Sequence, residues 1–315
     1  MLSLHTAQEP GGARIAMVNS ARQVAESTGQ IGVIGATGFV GSAVMRALRS
    51  AGENPISLVP RRPVQDASAN PTYRQLDFHD QRTFEPAMSS LKCLFLMRPP
   101  AIGDVERRVF PLIDIAVKAG IERIVFLSVA GAETRAYLPH AKIEAHLDQL
   151  VSRTGLKVGI LRPGFFAQNL LSAYREDIQH DGRLYVCAAA GRVAFVDTDD
   201  VGAVGARALT QGILDGKAAT LTGATALTFD DVAALLSEAL GRHIVYTRAS
   251  IPGFFCHRVF HRGSGLIEAT VITALHAGLR RGDGENTSRS IGDLLGRPAT
   301  PLADVISRHL DAWRV

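Results

Sequence analysis

Short apolar runs alternate along this chain with stretches in which apolar residues recur every three or four positions. Runs of the first kind are Ile31–Ile34, Ile56–Val59, Tyr73–Leu76, Cys93–Met97, Arg123–Leu127 and Val158–Leu161. Their unbroken apolar character predicts strands buried on both faces, as in a parallel sheet covered by helices. Between them, Ser42–Arg49, Arg82–Ser89, Val105–Lys118 and Pro139–Arg153 carry the helical period. Gly120 and Gly155 stand just past two of these helices, and Pro139 opens the last, as helix punctuation requires. Strand–helix alternation of this kind predicts an α/β fold, a Rossmann-type doubly wound parallel sheet. Ligands of such sheets lie outside the carboxyl ends of the strands. The segments leaving the sheet at Asp77-Phe78, Met97-Arg98-Pro99, Ser128 and Pro163-Gly164-Phe165 are therefore expected to face one crevice.

The first strand–helix junction carries the most specific chemistry. Gly35-Ala36-Thr37-Gly38-Phe39-Val40-Gly41 follows the first apolar run directly. Glycines also stand at 29 and 32, but only the 35/38/41 register begins where the strand ends. In that register Gly35 turns the chain, Gly38 lets backbone approach phosphate, and Gly41 lets the helix close onto the strand. The free N–H groups of the helix start then form an anion site suited to a pyrophosphate. A dinucleotide is the implied ligand. NAD-binding versions place an acidic residue about 20 residues further on, at the end of the second strand. Here that position holds Arg61, followed by Arg62, and a guanidinium suits a 2′-phosphate. NADP(H) is the expected cofactor.

Composition narrows the class without naming the reaction. The 315 residues are 46% hydrophobic and 20% charged, ordinary values for a globular chain. A net charge of +4, with no lysine/arginine block, gives no footprint for nucleic acid. Cys93, Cys187 and Cys256 are scattered, which argues against a disulfide framework or a zinc site and for a reducing compartment such as the cytoplasm. No apolar run is long enough to cross a membrane. Residues 1–29, with Pro10, Gly11 and Gly12, are expected to be a disordered extension lacking a secretion signal. Residues 30–315 are expected to form the dinucleotide-binding domain, with a smaller substrate lobe drawn mainly from about 165–190 and 245–290. The oligomeric state is not legible.

The glycine motif, Arg61, Leu76-Asp77, Pro99-Pro100, Leu127-Ser128 and Leu161-Arg162-Pro163-Gly164-Phe165-Phe166 together resemble the NmrA-like branch of the atypical short-chain dehydrogenases/reductases. Phe195–Val201, Leu221–Phe229, Ala239–Arg242 and Ile291–Pro298 are similar to later parts of that family. The likeness covers about 30–248 well and 249–315 loosely. It implies binding of NAD(P)(H) and reduction of a carbonyl, quinone or enone of a small to medium organic substrate. Some members of the family bind the cofactor as redox sensors without turnover.

By the same resemblance, Ser128 would orient a substrate carbonyl, and Lys142 would hold the nicotinamide ribose and tune a proton-donating tyrosine. That tyrosine belongs four residues before the lysine, where this chain has Leu138. Tyr137 is one residue off, about 100° round a helix unless it lies in the preceding turn. His140 could supply the proton instead, because histidine titrates near neutrality. His146 shares a helix face with Lys142. His257 and His261 have i, i+4 spacing but no third metal ligand, so they are expected on a helix surface. Asp199 and Asp200 are expected to cap the helix beginning near Val201. Phe165, Phe166, Phe254 and Phe255 could wall an apolar pocket for an aromatic or polycyclic substrate. Two alternatives stay open: a cofactor-sensing regulatory protein, and a non-redox cyclase or epimerase on the same fold.

Overall fold

A computed structural model describes residues 31–61 and 73–314. In chain order the first half comprises β1 (Ile31–Ile34), α1 (Phe39–Ser50), β2 (Ile56–Val59), β3 (Tyr73–Gln75), α2 (Phe84–Met88), β4 (Cys93–Met97), α3 (Val105–Arg108), α4 (Phe110–Lys118), β5 (Arg123–Leu127), α5 (Pro139–Thr154) and β6 (Lys157–Pro163). The second half comprises α6 (Arg175–Gln179), β7 (Arg183–Val186), β8 (Arg192–Val193), α7 (Thr198–Gln211), β9 (Lys217–Leu221), β10 (Leu227–Thr228), α8 (Phe229–Leu240), β11 (Val245–Arg248), α9 (Ile251–Cys256), α10 (Leu266–Leu279), α11 (Ser290–Leu295) and α12 (Leu302–Arg308). Seven strands form one parallel sheet in the order β3-β2-β1-β4-β5-β6-β9. The order reverses between β1 and β4, so the crevice of this Rossmann-type fold opens there.

Each face of the sheet has its own core. Phe84, Leu112, Ile113, Ile143 and Leu147 cover one side; Val44, Leu48, Val201 and Val204 cover the other. On the second side α1 and α7 touch backbone to backbone. A Cβ on Gly202 would lie 2.6 Å from the Ala43 carbonyl carbon, so only glycine allows that crossing. The expected helix over 105–118 is broken at Val109, because Pro111 offers no N–H to continue the ladder and instead starts a new helix. The helix at 198–211 is capped by Asp197, whose carboxylate accepts the Asp199 N–H at 3.1 Å, and not by Asp199 or Asp200. Asp200 is fully buried and accepts from the Thr300 N–H at 2.7 Å and from Arg297 at 2.6 Å, pinning the C-terminal segment to the sheet.

A third core makes the lobe beside the sheet. Tyr174, Leu184, Val193, Phe195, Phe229, Leu236, Tyr246, Leu302, Val305 and Trp313 meet in it, beneath the two-stranded parallel ribbon β7–β11. The lobe thus draws on α8 and α12 as well as on the stretches the sequence singles out. Its polar centre is His276. Nδ1 donates to the Ile272 carbonyl at 2.6 Å, which leaves Nε2 to accept from the Tyr174 hydroxyl. Phe165 and Tyr174 meet the imidazole edge-on and Phe254 lies tilted against it. Burial holds the imidazole neutral, down to about 4.

This histidine makes stability depend on pH with a definite sign. Its folded value lies below the ordinary 6.5, so the unfolded chain takes the proton first. The stabilisation is complete above pH 6.5 and is lost as pH falls toward about 4. The expected slope from this one group approaches about 1.4 kcal/mol per pH unit. Urea titrations at several pH values should show His276→Gln destabilised at neutrality yet losing less on acidification. Parallel curves for the two proteins would contradict the assignment.

Candidate active site

The glycine turn is built as the motif requires. Gly35 has φ +71°, a conformation that residues with side chains avoid, and its carbonyl accepts the Gly38 N–H at 2.9 Å. The Met97 side chain fills the space beneath Gly35. A Cβ on Gly41 would lie 2.1 Å from the Gly35 oxygen, so the third glycine is what lets α1 seat on β1. Gly38 is different: a Cβ there would meet nothing closer than 3.5 Å. Its face is open. Extended backbone at Gly38 starts the helix at Phe39, three residues before the periodic pattern does, and no side chain caps it. Thr37, Gly38 and Phe39 are exposed while Val40 and Gly41 are buried. The helix therefore presents uncapped N–H groups over an open glycine at the switch point, a cradle that fits a pyrophosphate.

Around this cradle the other expected residues divide. Arg61 is exposed at the end of β2, while Arg62 lies outside the described residues. Asp77 shapes a turn: its carboxylate accepts the His79 N–H at 2.8 Å, and its own N–H donates to Thr83 at 3.0 Å. Phe78 is buried in the core. Arg98 folds back on its own loop, donating to the carbonyls of Pro99, Pro100 and Ile102, and so fixes the Pro-Pro turn after β4. Pro163 ends β6, and the Gly164 N–H donates to Leu221 at 2.9 Å. Phe165 leans edge-on against Phe195.

At the carboxyl end of β5, Ser128 is buried and its hydroxyl donates to Glu144. Glu144 also receives Arg162 in a fork, at 3.1 Å to Oε1 and 2.5 Å to Oε2, and Arg162 reaches Glu133 at 3.4 Å. Glu144 and Arg162 had no place in the sequence reading of the site. A signal was available. Glu144 sits in the stripe His140, Ile143, Leu147 that faces the sheet, where a carboxylate needs a partner. His140, one turn earlier on that stripe, stacks on Phe126 and is half-buried. Burial first, then the neighbouring Arg98 charge, pushes it down to about 4. It is a neutral imidazole at physiological pH and holds no spare proton.

Lys142 points elsewhere. Two residues from Glu144, it is turned about 200° round the helix. Its ammonium pairs with Glu106 at 2.7 Å. His146 follows it there, stacked on Phe110 and bonded to Asp114 at 2.8 Å. Tyr137 lies in the loop before α5 and is 75% exposed. No contact joins Ser128, Lys142 and Tyr137 among the described residues. His257 is not on a helix surface: it is buried, bonded to Asp177 at 2.9 Å, and that carboxylate also takes Arg262 at 2.5 Å. His261 is exposed beside it, and no group of residues that could hold a metal occurs among the described residues.

The Glu144–Arg162 pair yields a stability prediction. Removing the cation leaves a mostly buried carboxylate uncompensated, so Arg162→Met should cost about 3 kcal/mol in urea unfolding. The double variant Arg162→Met/Glu144→Leu should recover most of that loss. Equal losses in both would mean the carboxylate is solvated without its partner.

Comparison with known proteins agrees with this geometry. The chain is 28% identical over 286 residues to the NAD(P)H azoreductase of Xenophilus azovorans, covering 89% of this chain and 98% of that one. It is 26% identical over 288 residues to quinone oxidoreductase 2 of Escherichia coli, covering 89% and 98%. The crystal structure of the Citrobacter sp. triphenylmethane reductase complexed with NADP(H) superposes with a TM-score of 0.76 at 22% identity, over 89% of this chain and 99% of that one, a likeness of fold. Residues 27–275 match the NmrA-like family. The chain belongs to the NmrA-like family of atypical short-chain dehydrogenases/reductases.

Proposed function

We propose that this protein is an NADP(H)-dependent oxidoreductase that reduces a carbonyl, quinone or enone of a small to medium organic substrate. The observation that carries the reading is the cradle at Gly35–Gly41, with its open Gly38 face and uncapped helix start. An azoreductase and a quinone oxidoreductase among the relatives support it. When bound, NADPH supplies the hydride. The N–H groups at the start of α1 would hold its pyrophosphate, and Arg61 would hold the 2′-phosphate.

The chain's own groups narrow the acceptor. Ser128 has one proton, and it is committed to Glu144, so its oxygen can accept but not donate. His140 is neutral and can offer an N–H without giving up a proton. Tyr137 is in solvent and Lys142 is paired with Glu106. Such a site suits acceptors whose reduced form carries its charge on a delocalised oxygen, as a quinone does, over simple ketones that need a strong acid. The committed serine and displaced tyrosine also favour a second reading, a cofactor-sensing protein without turnover.

NADPH should bind at least about tenfold more tightly than NADH, equivalent to about 1.4 kcal/mol. Arg61→Ala should erase most of that preference in calorimetric titration, and equal affinities in the parent would remove NADP(H) from the proposal. Gly38→Val should fold normally, because nothing in the protein meets its side chain, and should lose the cofactor. A folded Gly38→Val variant with parent affinity would show the wrong turn had been chosen.

With cofactor bound, a screen of quinones and enones should consume NADPH. Because His140 titrates at about 4, kcat/KM should stay level from about pH 5.5 to 8, and Tyr137→Phe should change it less than about twofold. Tight cofactor binding with no acceptor consumed would replace the reductase by the sensor.

A further inference from the structure

Outside the cofactor crevice, one groove in the lobe has the character of a ligand site. It runs between α9 and α10, is about 460 Å³ in volume, and is lined by Ile251, Pro252, Phe255, Cys256, Thr273 and Ala274 among others. That volume falls in the range of small-molecule pockets, roughly 300–1,000 Å³. No lining residue carries a formal charge. Thr270 lines it too, but its hydroxyl is already bonded to the Leu266 carbonyl at 2.8 Å.

Thr273 is the exception. It is 94% buried by its 6% exposure, and its hydroxyl has no hydrogen-bond partner among the described residues. An unmatched buried hydroxyl costs stability, on the order of 1–3 kcal/mol, which valine of the same shape would avoid. Threonine populates two χ1 wells in a helix, so this hydroxyl can serve a ligand in the groove without backbone movement. A groove with no charge and one unmatched hydroxyl selects for a neutral apolar molecule bearing one hydrogen-bonding oxygen.

We infer that the α9–α10 groove binds a neutral aromatic molecule of about two fused rings, whose single oxygen is held by Thr273. The site is separate from the Gly35–Gly41 cradle and shares no residue with it. Phe255 supplies an aromatic wall, and the Phe254–His276–Phe165 stack lies behind it, fixing both helices on the lobe.

Equilibrium dialysis of the full chain with 2-acetylnaphthalene and 2-ethylnaphthalene tests this directly. The ketone should bind about tenfold more tightly than the hydrocarbon, the effect of one hydrogen bond to an otherwise unmatched group. Thr273→Val should remove that preference while keeping hydrocarbon binding. Ala274→Trp, at an exposed position on the groove, should abolish binding of both while leaving NADPH affinity unchanged. Equal binding of the two compounds to the parent would overturn the inference, as would a preference that survives Thr273→Val. Binding of both compounds unchanged in Ala274→Trp would place the ligand elsewhere. A parent dimer that Ala274→Trp converts to monomer would make the groove a contact between copies, and would overturn the inference too. Cofactor affinity is read separately, so loss of NADPH binding would bear on the reductase reading alone.

Discussion

The structure turns on how closely α1 can approach β1. With hydrogen in place of a side chain at Gly41, the helix rests against the Gly35 carbonyl; with any larger group it would have to lift away. That seating aims the uncapped helix start at the gap where the strand order reverses. The same economy recurs on the far side of α1, where Gly202 of α7 lies against Ala43. Two glycine contacts thus clamp one helix between sheet and neighbour. The position of the anion cradle is set by backbone shape, and electrostatics then uses what sterics has placed.

A second constraint is the carboxylate inside the apolar stripe of α5. Glu144 ties the end of β5, through Ser128, to the end of β6, through Arg162. Those two strand ends form the floor of the crevice beyond the nicotinamide side of the switch point. A buried ion pair of this kind adds little net stability against an apolar substitute, but it fixes geometry, because each partner is costly to leave alone. Ser128 pays for that order with its only proton. Its chemistry is accordingly that of an acceptor.

Much of the sheet was legible because burial on both faces forces unbroken apolar runs. All four strands β1, β2, β4 and β5 fall where those runs do. The glycine register was legible for a steric reason that one sequence carries in full. What the sequence could not convey was direction around a helix relative to neighbours in three dimensions. Lys142 and Ser128 matched the family by type and spacing, yet the lysine faces Glu106 on α3 while the serine faces Glu144. The helix cap was missed by two residues because Asp197, Asp199 and Asp200 are chemically alike, and only the backbone start selects among them. His257 was read as solvated because its partner, Asp177, lies 80 positions away.

The chain has a single tryptophan, Trp313, fully buried in the lobe with its indole N–H donating to the Leu170 carbonyl at 3.1 Å. Its ring belongs to the third core and to neither face of the sheet. Intrinsic fluorescence is therefore a local reporter in this protein. Emission follows the packing of the lobe and the docking of the C-terminal segment, while far-ultraviolet dichroism averages over the whole sheet. Non-coincident transitions by the two probes would reveal the lobe loosening ahead of the sheet, as a separate cooperative unit.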